Sequence, residues 1–139
     1  MPTAAPHIRP LLHPLHALLL SWPLALFPAA LIADITYLNT AEIQWTNFAA
    51  WLITGALIGG GPALLWAIIA AFRLRTRQAI LYATLLAAAW IGGLIDAFQH
   101  SQDGWSSVGT AGVALSTVTS LLVLAAGWSA HNANSGKTL

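Results

Sequence analysis

The sequence predicts an all-α membrane protein, an antiparallel bundle of four transmembrane helices forming a single membrane domain over residues 1–139. Three observations carry the prediction. Only 6% of the residues are charged and 58% are hydrophobic, with a mean hydropathy of +0.72, whereas a soluble domain carries about 25% charged residues to cover its surface. Apolar runs long enough to cross about 30 Å of hydrocarbon recur along the chain, separated by short polar links. Finally, the few charges sort cleanly by side once four spans are drawn. The net charge of +1 excludes a basic nucleic-acid footprint, and the absence of cysteine excludes disulfides and thiolate metal sites.

The first span covers residues 13–38. His13-Pro14 suits a helix start, because proline is tolerated in the first turn, and Pro23 and Pro28 are expected as bends. A cleaved export signal is rejected. Arg9 is the only cation before the core, the core exceeds the usual 7–15 residues, and Pro28 and Asp34 flank the one region with small residues. His16 and Asp34 lie 18 residues apart, five helical turns, which sets them on one face and about 27 Å apart along the axis.

The second span covers residues 46–72, after the polar link NTAEIQ, and stops at RLRTRQ. It contains a GxxxG spacing, Gly55 to Gly59, that lets helix backbones approach closely. Gly60, Gly61 and Pro62 follow at once. The favoured reading of this GGGP run is a packing notch with a bend, and the sharper reading is a broken helix lining a site. The third span covers residues 78–99, with Ala89, Gly92, Gly93 and Asp96 on a small-residue face, and stops at HSQDGWSS. The fourth covers residues 107–130, with a small and hydroxyl stripe of Gly109, Gly112, Ser116, Ser120, Gly127 and then His131; a polar tail, 131–139, ends the chain. Trp45, Trp105 and Trp128 fall near span ends, where indole rings favour the headgroup region; Trp51, Trp66 and Trp90 sit deeper.

Four spans place Arg9, Arg73, Arg75, Arg77 and Lys137 on one side and Asp34, Glu42, Asp96 and Asp103 on the other. Cations are retained in the cytoplasm, so the expected orientation is N-in/C-in, multi-pass in a bacterial inner membrane.

Ionisable groups inside a bilayer are costly and raise a functional hypothesis by default. On the acidic side stand Asp34, Asp96, Gln99 and His100, with Asp96 and His100 on one face at i, i+4. This polar cluster reads as an interhelical hydrogen bond tying the first helix to the third, or as a proton or cation site. On the arginine side stand His13, His16 and His131, with His7 just outside. His16 and His131 are at matched depth and could hold haem b as axial ligands, with Gly127 leaving room for a porphyrin face. The same three histidines, His13, His16 and His131, are the only metal-ligand candidates, and zinc is disfavoured by the lack of an acidic or thiolate partner. Interfacial or capping histidines are the plainer account. No catalytic residues are found: the chain lacks a nucleophile–base constellation, a phosphate-binding glycine loop and an H-E-x-x-H spacing.

His13-Pro14 at the head of an apolar helix, Trp22-Pro23 and Phe27-Pro28 within it, and Asp34 near its end resemble the first helix of a family of small bacterial membrane proteins. This is the domain-of-unknown-function family 2231, the predicted membrane proteins. The similarity extends through the glycine-rich second helix between Trp51 and Trp66 and the two later spans. The family pattern carries HP, then a polar residue and FP; here Trp22 takes the place of the phenylalanine and a second FP follows at Phe27-Pro28. The resemblance implies a four-span membrane protein and names no activity.

Three functional readings follow. The leading one is a non-enzymatic subunit or anchor, packed against a membrane-protein partner or a second copy in a larger membrane assembly, a redox assembly being one option; it rests on the minimal loops and small-residue faces. The second is a haem b protein transferring electrons to or from quinone through His16 and His131. The third is a proton or solute carrier using Asp34, Asp96 and the GGGP run.

Overall fold

The computed structural model describes residues 12–101 and 109–134. His7, Arg9, Asp103, Trp105, Lys137 and the tail beyond residue 134 lie outside them. Four helices follow in order: α1 (Pro14–Thr40), α2 (Ile43–Leu74), α3 (Arg77–His100) and α4 (Thr110–Asn134). All four are long and apolar enough to span a membrane. Each helix packs on the next, and α4 packs back on α1, so the bundle closes into a ring in which α1 and α3 face each other across the diagonal.

Local chemistry sets the helix ends. The His13 side chain accepts from the Leu15 amide at 3.3 Å, with Pro14 in the first turn, and Thr76 caps α3 by accepting from the Ala79 amide at 3.2 Å. The polar link NTAEIQ is shorter than the sequence suggests, because α1 runs on to Thr40 and only Ala41 and Glu42 separate it from α2. Thr36, Asn39 and Thr40 return their side-chain donors to carbonyls one turn earlier, which suits polar residues in a helix's last turns. Ala41 and Arg75 close α1 and α2 in the left-handed region, at φ 54° and 51°. At 32 residues, α2 is about 48 Å long and must tilt or emerge from the hydrocarbon.

Buried positions recur in alternating steps of four and three. On α1 they are His16, Leu20, Pro23, Phe27, Ala30 and Asp34; on α4 they are Gly112, Ser116, Thr119, Val123, Ala126 and Ala130. The α2 stripe consists of Thr46, Ala49, Ile53, Ala56, Gly60, Ala63 and Ala67. A mean step of 3.5 keeps each seam facing its neighbours in left-handed supercoiled packing.

The parallel diagonal pair is held in one register. His16 meets Tyr82 and Asp34 meets His100, both at an offset of 66 residues. Midway, Phe27 lies over Gly93, at the same offset, where a Cβ would collide with the Phe27 ring.

The helix break weighed for the GGGP run is absent, since α2 is continuous through Pro62. Its glycines are notches. A Cβ on Gly59 would strike Trp22, and one on Gly60 would crowd Trp90 at 3.3 Å. The Trp90 indole also donates to the Leu57 carbonyl at 3.1 Å. The outer faces carry large apolar side chains, including Trp51, Phe72 and Trp128.

Candidate functional site

At the acidic end, three helices bring four polar side chains together. Asp34 comes from the last turns of α1, Asp96 and His100 from consecutive turns of α3, and Ser116 from the heptad stripe of α4. His100 Nε2 lies 2.8 Å from Asp34 Oδ1, and His100 Nδ1 donates to the Asp96 carbonyl oxygen at 2.9 Å. The Ser116 hydroxyl bonds to Asp34 Oδ2 and lies 2.8 Å from Asp96 Oδ2. Asp34, Asp96 and the His100 side chain are at most 1% exposed. Asp96 Oδ1, 3.3 Å from His100 Nδ1, makes no hydrogen bond. Sequence reasoning grouped Asp34, Asp96 and His100, and the structure brings them together. Gln99 is half-buried on the adjoining face. Ser116 was visible only as one small residue in a stripe, and the structure makes it the bridge between the carboxyls.

The hydrogen positions follow from the partners. A carbonyl only accepts, so His100 Nδ1 carries a proton. The contact between Nε2 and Asp34 needs one more, held by either partner. Ser116 has a single hydroxyl proton and two carboxyl oxygens within its reach. The cluster joins two carboxyls, an imidazole and a hydroxyl in one buried network across three helices.

At the arginine end, His16 Nε2 and the Tyr82 hydroxyl are 2.7 Å apart and buried. The Trp66 ring lies 5.3 Å from the His16 ring, and on its other contact it stacks with His13 at 5.6 Å. His16 Nδ1 is buried without a hydrogen-bond partner. Tyr82 was missed in the sequence, where its one signal is a phenol within an apolar helix.

The structure does not gather the three histidines. His16 contacts Tyr82 and Trp66, while His131 is exposed and directs Nδ1 to the Gly127 carbonyl at 2.8 Å. The space above Gly127 is taken by Leu24, whose Cδ2 would lie 2.8 Å from a Cβ there. Thus the gap expected for a porphyrin face holds a leucine. Among the described residues no three His, Asp or Glu side chains converge as a metal site, so His13, His16 and His131 do not form one. Matched depth on two helices does not ensure matched azimuth.

Between the two polar ends, about 27 Å apart on α1, the interior is filled by Leu20, Phe27, Leu86, Ala89 and Val123. Thr119 and Ser120 add buried hydroxyl oxygens without partners near the acidic end. Among the described residues no polar relay bridges that apolar middle; His16, Tyr82, Asp34, Asp96 and His100 line none of four lateral grooves on the bundle surface, whereas Trp66 lines the one between α1 and α2.

No curated protein and no solved structure matches the chain. The family described as "Predicted membrane protein (DUF2231)" matches residues 12–135, which takes in all four helices, and the chain belongs to that family.

Proposed function

We propose that the protein is a non-enzymatic helical subunit or anchor of a larger membrane assembly, set in a bacterial inner membrane with its arginine end in the cytoplasm. One observation carries this reading. Among the described residues the ionisable side chains of the interior are turned onto one another, His16 to Tyr82 and His100 to Asp34 and Asp96, and none lines the four lateral grooves. What faces outward is an apolar and aromatic surface suited to lipid and to another membrane helix. The test is extraction from native membranes in a mild detergent, with particle mass and protein content measured. Co-migration with another membrane protein or a second copy supports the reading; a stable monomer without a co-purifying partner overturns it. An absorbance spectrum of the same sample reads the haem alternative. A Soret band that shifts on dithionite reduction and is lost in His16→Ala would replace the subunit reading with electron transfer.

The contact of one Ser116 hydroxyl with both Asp34 and Asp96 supports a second reading, a proton carrier working through the Asp34–Asp96–His100 cluster. Proton flux across proteoliposomes would fall in Asp34→Asn and Asp96→Asn. Flux unchanged in both variants removes this reading.

A further inference from the structure

The three arginines between α2 and α3 do not share one surface. Each lines a different lateral groove of the bundle. Arg73 lines the groove between α1 and α2, about 320 Å³, with Leu19, Leu65 and Ile69. Arg75 lines that between α2 and α3, about 540 Å³, with Ile68, Phe72, Ile80 and Ala87. Arg77 lines that between α3 and α4, about 580 Å³, with Leu81, Leu85 and Ala125. The tight turn explains the distribution. Arg73 is in the last turn of α2, Arg75 is its left-handed cap and Arg77 opens α3, so alternate residues leave the turn in different directions.

Each site thus joins an apolar interhelical trough to one guanidinium at the same end of the bundle. Among the described residues the acids, Asp34, Glu42 and Asp96, are at the opposite end, and no carboxylate pairs with these arginines. A ligand that fits carries an aliphatic chain for the trough and an anion for the guanidinium, which binds phosphate in a two-pronged geometry that ammonium lacks. A fourth groove, on α1 beside Trp22 and Leu26, has no cation and serves as an internal contrast.

We propose that the three arginine-headed grooves are binding sites for anionic phospholipids, with an acyl chain lying in each trough and the phosphodiester on Arg73, Arg75 or Arg77. The sites form a collar around the arginine end and fix the depth and rotation of the bundle in an anionic leaflet. Juxtamembrane basic residues gain about 1 kcal/mol each near such a surface, so the preference over zwitterionic lipid is about fivefold per site.

The experiment is native mass spectrometry of the full chain, doped in parallel with phosphatidylglycerol and phosphatidylcholine. Up to three phosphatidylglycerol adducts are expected, at about fivefold lower lipid concentration than phosphatidylcholine. Arg73→Gln, Arg75→Gln and Arg77→Gln each remove one adduct. Ala87→Phe keeps every arginine but fills the α2–α3 groove, and it removes the same adduct as Arg75→Gln. Arg75→Gly also loses that adduct while relieving the left-handed cap, so its melting temperature does not fall. Excess inorganic phosphate leaves the adducts in place. Equal adducts from both lipids overturn the proposal, as does displacement by inorganic phosphate. So does an Ala87→Phe variant that retains every adduct, because bare surface charge would then account for binding.

Discussion

The diagonal register can be tested at its midpoint by Gly93→Ala. The added Cβ would collide with the Phe27 ring on one side and touch Leu57 Cδ2 at 3.4 Å on the other. Phe27 is 3% exposed and part of the core, so its ring has no free space into which to withdraw. Overpacking of this kind costs about 1–3 kcal/mol. Alanine regains up to about 1 kcal/mol of helix propensity over glycine, which leaves a net loss of up to about 2 kcal/mol. Phe27→Leu alone loses buried carbon and costs about 1–2 kcal/mol. In the double variant the shorter leucine makes room for the new methyl, so the losses do not add, and a coupling of about 1 kcal/mol is expected. The assay is unfolding in mixed micelles followed by far-UV circular dichroism for wild type, both single variants and the double. Gly55→Ala is the control, because its Cβ would meet only the tip of Leu26 at 3.0 Å, and it is expected to be near neutral. Additive losses in the cycle would refute the packing of α1 on α3 at this register.

Three further outcomes follow. Tyr82→Phe leaves buried His16 without a partner on either ring nitrogen and should cost about 1–3 kcal/mol by the same unfolding assay; His16→Leu with Tyr82→Phe should be less damaging than Tyr82→Phe alone. Ser116→Ala removes the hydroxyl bridging Asp34 and Asp96, and a loss of about 1–3 kcal/mol is expected, whereas Ser116→Thr keeps the hydroxyl and should retain more stability. Ala41→Gly relieves a left-handed cap at φ 54° and should raise stability by roughly 0.5–1 kcal/mol; an unchanged or lower melting temperature counts against that cap conformation.

Topology was legible because a membrane leaves few choices. Hydropathy located four spans, and their ends moved by only a few residues where Asn39 and Thr40 satisfied themselves within α1. The seam was far less legible. In water, polarity separates the inner face of a helix from the outer, but here exposed Leu15, Leu18, Ile32 and Ile35 are as apolar as buried Leu20 and Phe27. What remains is size, seen in Ala49, Ala56, Ala63 and Ala67 on α2, and size alone gives no pairing. The acidic cluster was found because Asp34 and Asp96 are expensive in lipid wherever they point. Tyr82 and Ser116 carry no such penalty, so nothing in the sequence singled them out. The histidines show the same limit: depth along the helix grouped His16 with His131, and depth is one coordinate of three.

The placement of the polar pairs has a physical reason. Apolar side chains lose almost nothing by facing lipid instead of protein, so hydrophobicity cannot hold α1 against α3 across the centre of a bundle. Directional contacts can. His16–Tyr82 and Asp34–His100 stand at the two ends of the shared face, five turns apart, and Phe27 seated at Gly93 prevents sliding between them. A slip of one heptad would remove both hydrogen-bonded pairs and drive the Phe27 ring against Leu86 or His100 instead of a glycine. Three contacts with one offset therefore make the register a property of the whole diagonal. The acidic end differs from the other in what it adds: α4 joins through Ser116, so the contact there ties three helices instead of two. Ser116→Thr against Ser116→Ala separates loss of the bridge from loss of packing at that position.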